Sequence, residues 1–193
     1  VKFVEQFYPD FMDNLSTCKS PQQMMGAVIK SFFAEREGLD PKSIFSVSIM
    51  PCSAKKFEAE RPELCPSGLP DVDAVLTTRE VARMLRSRGL ALGGVQPEAA
   101  DSPLGERSSA GKLFGATGGV AEAAIRTAYF MITGKEPGQL EVKAVRGLEG
   151  VKETRIKVGE LELGVAVASG LGNARKLLDS IRAGRSDIQF IEV

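Results

Sequence analysis

Histidine and tryptophan are absent from the sequence, and cysteine occurs only three times. Without histidine, the commonest general base and the commonest zinc ligand are both missing. A Ser-His-Asp or Cys-His hydrolase therefore cannot be assembled from these residues. Cys18, Cys52 and Cys65 show no CxxC spacing. An odd, sparse count in a chain of this length points to a reducing, cytoplasmic compartment rather than a disulfide scaffold. Net charge is lacking too, because 25 Lys and Arg balance 25 Asp and Glu. That balance argues against nucleic-acid binding by bulk positive charge and against a polybasic membrane contact. No apolar run reaches the roughly 20 residues of a membrane span, and the opening residues show no signal-peptide pattern.

What is present is a chain of 193 residues, 43% hydrophobic and 26% charged, enough for one domain or two small lobes with a real core. It opens at Val1 in helical pattern and stops at Val193 in a strand-like run, so it is expected to be an excised piece. Apolar residues spaced by three or four predict helix from Val1 to Leu15 despite Pro9. Ser20-Pro21 offers a cap and a first-turn proline for a helix running to about Gly38. Ile44 to Met50 reads as a buried strand closed by Pro51, and Asp73 to Leu76 as a second. Thr78 is expected to cap a helix to Ser87 with Val81, Ala82 and Leu85 inward. Residues 88–111 read as a long surface loop, and Gly118-Gly119 opens a helix to about Met131. Strands are expected at Glu141–Val145, Thr154–Val158 and Leu161–Ala168, the last two joined across Gly159-Glu160 as a hairpin. A helix over Leu171–Ile181 and a strand over Ile188–Val193 complete an α/β pattern. The expected architecture is one lobe: a mostly parallel sheet flanked by helices, plus a C-terminal hairpin.

Three segments could carry chemistry. Met50-Pro51-Cys52-Ser53-Ala54-Lys55-Lys56-Phe57-Glu58 places a thiol at the C-terminal end of a strand, where α/β folds place ligands. Lys55 and Lys56 would favour its thiolate, the form that binds metal. On the residues alone, a small side chain beside a charged turn remains the plainer reading. Gly111-Lys112-Leu113-Phe114-Gly115-Ala116-Thr117-Gly118-Gly119 precedes a helix and could offer amides to an anion. It matches neither a phosphate-binding P-loop nor GxGxxG, and a tight helix-packing turn explains it as well. Ser16 to Gln23 reads as a capping turn between two apolar helices, and Cys18 and Cys65 as incidental.

In order along the chain, these segments resemble the catalytic domain of iron-only hydrogenases. Phe7-Tyr8-Pro9-Asp10 through Ser20-Pro21-Gln22-Gln23 is similar to the stretch after the family's first cysteine motif. Met50 to Glu58 is similar to its second motif, MPCxxKxxE. Asp71 to Glu80, Phe114 to Gly119 and Val145-Arg146-Gly147-Leu148 follow in family order. The resemblance implies an H-cluster, a 4Fe–4S cubane joined through a cysteine sulfur to a two-iron unit with CO, cyanide and a dithiolate. It makes Cys52 a cubane ligand and Lys55 the ammonium that hydrogen-bonds a cyanide. Met50, Pro51, Gln22, Phe114 and Gly115 would line the pocket, Ser16 would serve the proton path, and Glu58 completes the motif. The activity implied is reversible reduction of protons to hydrogen, linked to ferredoxin, NAD or another redox carrier.

The family's Cys-Cys-Pro motif is expected just before Val1 and its last two cubane cysteines just after Val193. One thiolate of a four-ligand set cannot hold a cubane. The chain alone is therefore expected to carry no cluster and no activity, with the remainder of the hydrogenase as its partner. Other readings are a hydrogen sensor or a non-hydrogenase iron–sulfur relative of the same fold, and a Gly-rich nucleotide or anion module at Gly115–Gly119.

Overall fold

The computed structural model describes residues 1–65, 68–106, 108–137, 150–158 and 161–193. Two compact units account for them, Phe3–Gly105 and Glu106–Val193. The first carries α1 (Lys2–Phe7), α2 (Pro21–Val28), α3 (Ala34–Glu37), β1 (Val47–Met50), α4 (Ala54–Ala59), β2 (Ala74–Thr77) and α5 (Thr78–Ser87). The second carries α6 (Ser109–Leu113), α7 (Gly119–Thr133), β3 (Val151–Val158), β4 (Leu161–Ala168), α8 (Leu171–Arg182) and β5 (Phe190–Glu192). The chain is thus an α/β protein with parallel pairing in both sheets. The expected strand at Glu141–Val145, the Val145–Leu148 segment and the Gly159-Glu160 turn lie outside the described residues.

In the first unit, α1 stops at Phe7 and a 3-10 turn takes over from Pro9 to Asn14. Proline has no N–H to continue the ladder and its ring crowds the preceding turn, so it restarts the chain instead of extending the helix. The Ser20 cap forms as the spacing predicts, its hydroxyl accepting the Gln23 amide. The helix then widens into a π-turn at Ile29–Phe33 before α3, which ends at Gly38 with φ 66°.

The buried side chain of that π-turn is a lysine. Lys30 pairs with the Asp73 carboxylate at 2.7 Å and donates to the Pro70 carbonyl at 2.6 Å. Asp73 in turn accepts the Ser46 amide at 2.6 Å. Gly26 allows this approach, because a Cβ there would lie 2.4 Å from the Asp71 carbonyl oxygen. Lys19 adds a second ion pair to the same segment, on Asp71.

Together these contacts pin one end of the β1–β2 pair, which is parallel and joined through α4, since parallel strands need a crossover. Two expectations shift here. β1 is not a buried strand: Val47 and Ile49 are exposed, because β2 is its one partner among the described residues. The cap of α5 is Thr77, not Thr78, and it forms a reciprocal capping box with Glu80. The loop over 88–111 is also interrupted, by a 3-10 turn at Leu92–Gly94 and by the start of α6, which Ser108 caps.

In the second unit, β3 and β4 form the expected hairpin, with β3 beginning at Val151 rather than Thr154. β4 then pairs in parallel with β5. Side chains alternate along a strand, and β4 is buried on both faces. Ala166 and Ala168 pack with Ala174 and Leu177 of α8, while Val165 and Ile156 meet Ile125 and Tyr129 of α7. Arg185 stitches the hairpin to the last turn, binding Glu153 at 2.6 and 2.8 Å and Asp187 at 2.7 Å. The guanidinium holds the Asp187 carboxyl below its ordinary range.

Candidate metal centre

Pro51 ends β1 because it has no donor for a sheet ladder, and the chain turns at once into α4. The Lys55 and Lys56 amides close that turn on the Cys52 and Ser53 carbonyls. Cys52 stands on it as a free, exposed thiol. Half-buried Met50 and exposed Pro51 precede it on the same strand end.

Three contacts brace the turn. Gln22, buried in the first turn of α2, donates to the Lys55 carbonyl at 3.3 Å and accepts the Ser48 hydroxyl at 2.8 Å. Lys55 pairs with Glu58 one helical turn on, at 2.9 Å, so the last residue of the MPCxxKxxE motif contacts its lysine. Lys56 reaches Glu80 at 2.7 Å, and the same carboxylate accepts the Thr77 amide at 2.8 Å. Lys56, then the Thr77 amide and hydroxyl, lower the Glu80 carboxyl to about 2. Glu80 is therefore ionised at neutral pH, and Met50 and Thr77 are direct partners across the sheet. Sequence pattern singles out Lys56 beside the thiol, but not Ser48 or Glu80. The T-x-x-E spacing of Thr77 and Glu80 would have flagged the last.

We predict that Gln22→Ala destabilises the chain by about 1–3 kcal/mol, because the Lys55 carbonyl and the Ser48 hydroxyl lose a buried partner. Hydrogen exchange over residues 51–56 should accelerate with it. Unchanged exchange there would show that the turn holds its shape without Gln22.

The remaining expected residues lie elsewhere. Ser16 is exposed on the turn before α2, its hydroxyl accepting the Cys18 amide at 3.2 Å. Phe114 and Gly115 sit in the second unit, exposed in the corner between α6 and α7. That corner depends on Gly119, where a Cβ would lie 1.7 Å from the Leu113 carbonyl oxygen. Two of the amides at this helix end are already engaged. Glu192 of β5 accepts the Gly118 amide at 2.9 Å and the Ala121 amide at 2.7 Å. The anion place at this helix end is filled by the chain's own carboxylate, which weighs against the nucleotide or anion module.

Among the described residues, no group of three or more Cys, Asp or Glu is arranged to hold a metal ion. A cubane is held by four thiolates. Cys52 supplies one exposed thiol with an ammonium-bearing helix beside it, so the residues present fit one corner of such a cluster and no more.

The family model for "Iron only hydrogenase large subunit, C-terminal domain" matches residues 1–193. The chain belongs to this hydrogenase family. It is 47% identical over 191 residues to the periplasmic [Fe] hydrogenase large subunit of Nitratidesulfovibrio vulgaris, covering 99% of this chain and 45% of that protein. An apo [FeFe]-hydrogenase HydA1 structure from Chlamydomonas reinhardtii superposes with a TM-score of 0.81 at 38% identity, over 98% of this chain and 55% of that one. A more distant relative, cytosolic iron-sulfur assembly component 3 of Pongo abelii, is 34% identical over 99% of this chain and 41% of its own length. The hydrogenase-family chain thus spans less than half the length of these curated relatives. No helix among its described residues is long and apolar enough to cross a membrane.

Proposed function

We propose that residues 1–193 are one lobe of the catalytic domain of an iron-only hydrogenase that interconverts protons, electrons and hydrogen. The observation that carries this reading is the braced turn after β1, where Cys52 is exposed and Lys55 pairs with Glu58 on the following helix. The H-cluster, when bound, supplies the electron and hydrogen chemistry. Cys52 contributes one thiolate to its cubane. Lys55 would donate a charge-assisted hydrogen bond to a cyanide of that group, a task suited to an ammonium that also pairs with Glu58. The family resemblance assigns Met50, Pro51, Gln22, Phe114 and Gly115 to the pocket lining of the full-length protein. Ser16 accepts and passes a proton through its hydroxyl. The remaining ligands, and the partner ferredoxin or other redox carrier, come from outside these residues.

The sparse cysteines favour a cytoplasmic protein, and the Nitratidesulfovibrio relative, a periplasmic hydrogenase, marks a periplasmic alternative. A second reading follows from the assembly-component relative: a protein of this fold concerned with iron–sulfur clusters but without hydrogen turnover. Lys55 favours the hydrogenase, since its assigned task exists only beside a cyanide-bearing unit.

Infrared spectroscopy and a hydrogen-evolution assay on the full-length, matured protein separate the readings. Carbon monoxide and cyanide bands with rapid hydrogen evolution are expected. Bands without turnover would indicate a sensor, and the absence of bands would favour the assembly-type relative.

A further inference from the structure

Glu192 does more than end a strand. It is the penultimate residue of the chain, it pairs with Val167 across the parallel β4–β5 ladder, and both of its carboxylate oxygens are engaged on α7. One accepts the amide of Gly118, which sits at φ 88°, and the other the amide of Ala121 in the first turn. The N-terminal amides of a helix have no intrahelical acceptor, and α7 has no side-chain cap at its own Gly118. The contact therefore satisfies two orphan donors with a residue more than 70 positions away. It also sets the Phe114–Gly118 corner against the point where the backbone leaves β5. The backbone runs close to its neighbours there: a Cβ at Gly119 would lie 1.7 Å from the Leu113 carbonyl oxygen, and one at Gly118 would touch Val167 at 3.5 Å.

We infer that Glu192 is a positioning residue of the cluster pocket, its carboxylate fixing the Phe114–Gly118 corner relative to the chain segment that leaves β5. The inference rests on the hydrogenase reading, in which that segment leads directly to the last two cubane cysteines. Glu192 touches no cluster atom; it acts through the two amides, which bring the pocket-lining corner and the ligand-bearing exit into one geometry.

The test uses the full-length protein with Glu192→Ala and Glu192→Gln. Iron per chain, the electron paramagnetic resonance spectrum of the reduced cubane, and amide exchange at Gly118 and Ala121 in the apo form are measured, each with a melting temperature. Glu192→Ala is expected to exchange both amides faster and to lose cubane several-fold at temperatures well below melting. Glu192→Gln keeps one acceptor oxygen, so one amide should stay protected while the cubane spectrum changes. Should Glu192→Ala fail to fold, Glu192→Gln decides alone. Lower melting temperatures with wild-type iron content and spectrum would reduce Glu192 to a stability residue and overturn the inference. Wild-type protection of both amides in Glu192→Gln would overturn it too. A wild-type protein that takes up no cubane would instead count against the hydrogenase reading itself.

Discussion

Cys52→Ala in the full-length protein is expected to abolish stable cubane binding and, with it, hydrogen evolution. Cubane clusters are held by four thiolates, Cys52 is one of them on the reading proposed above, and the turn that carries it is braced. Gln22 holds it from α2, Lys56 ties it to the Glu80 capping box, and Pro51 stops the strand just before it. Losing an outer partner of a metal site costs roughly 10–100-fold in affinity or activity, and losing a ligand should exceed that. The fold should survive, since the thiol is exposed and unpaired with any other cysteine. Circular dichroism and melting should therefore match the wild type while iron content and activity fall. A variant that kept its cubane and its hydrogen evolution would remove Cys52 from the ligand set.

The second large effect lies at the opposite end of the same two strands. Lys30→Ala should destabilise the protein by about 3–5 kcal/mol, the usual consequence of removing one partner from a buried ion pair. Lys30 is 7% exposed and its ammonium is shared between Asp73 and the Pro70 carbonyl. Without it, Asp73 keeps only the Ser46 amide against its charge. Exposed pairs such as Arg36–Glu37 make a natural control, worth about 0–1 kcal/mol. Urea denaturation of the two variants side by side measures the difference. A loss for Lys30→Ala no larger than that of the Arg36 control would mean that water reaches the pair and that it does not anchor β1 to β2.

These two residues mark the limit of what local pattern reveals. The Cys52 turn is legible because the residues that mark it are contiguous: a β-rich run, a proline that ends it, a thiol and two lysines; its braces, Gln22 and Glu80, lie 33 and 24 residues from their partners and are not. The Gly118-Gly119 turn likewise marks the start of α7, and two β-like runs joined across Gly159-Glu160 mark the hairpin. Lys30 was hidden. It falls within an apolar stripe, and only the π-turn and the approach of residues 70–73 show why a cation is buried there. Apolar periodicity carries a helix across Pro9, whereas its missing donor starts a new turn.

Glu192 and Glu80 lie at different depths of the same problem. Glu80 stands three residues after Thr77, a spacing that a capping box makes readable, and the choice of Thr78 as cap missed it by one position. Glu192 serves amides more than 70 residues earlier, a relation that only the parallel β4–β5 pairing creates. The exposure of Val47 and Ile49 has the same origin. Whether an apolar strand is covered depends on its neighbours in the sheet, not on its own residues.

On the proposed function, this chain brings one ligand, Cys52, to a cluster completed by residues elsewhere in the hydrogenase. Iron and sulfide analysis with electron paramagnetic resonance, after anaerobic reconstitution of the 193-residue chain beside the full-length protein, tests it most directly. The prediction is a full cubane signal in the full-length protein and only a small fraction of it in the isolated chain. A stoichiometric cubane in the isolated chain would contradict the claim.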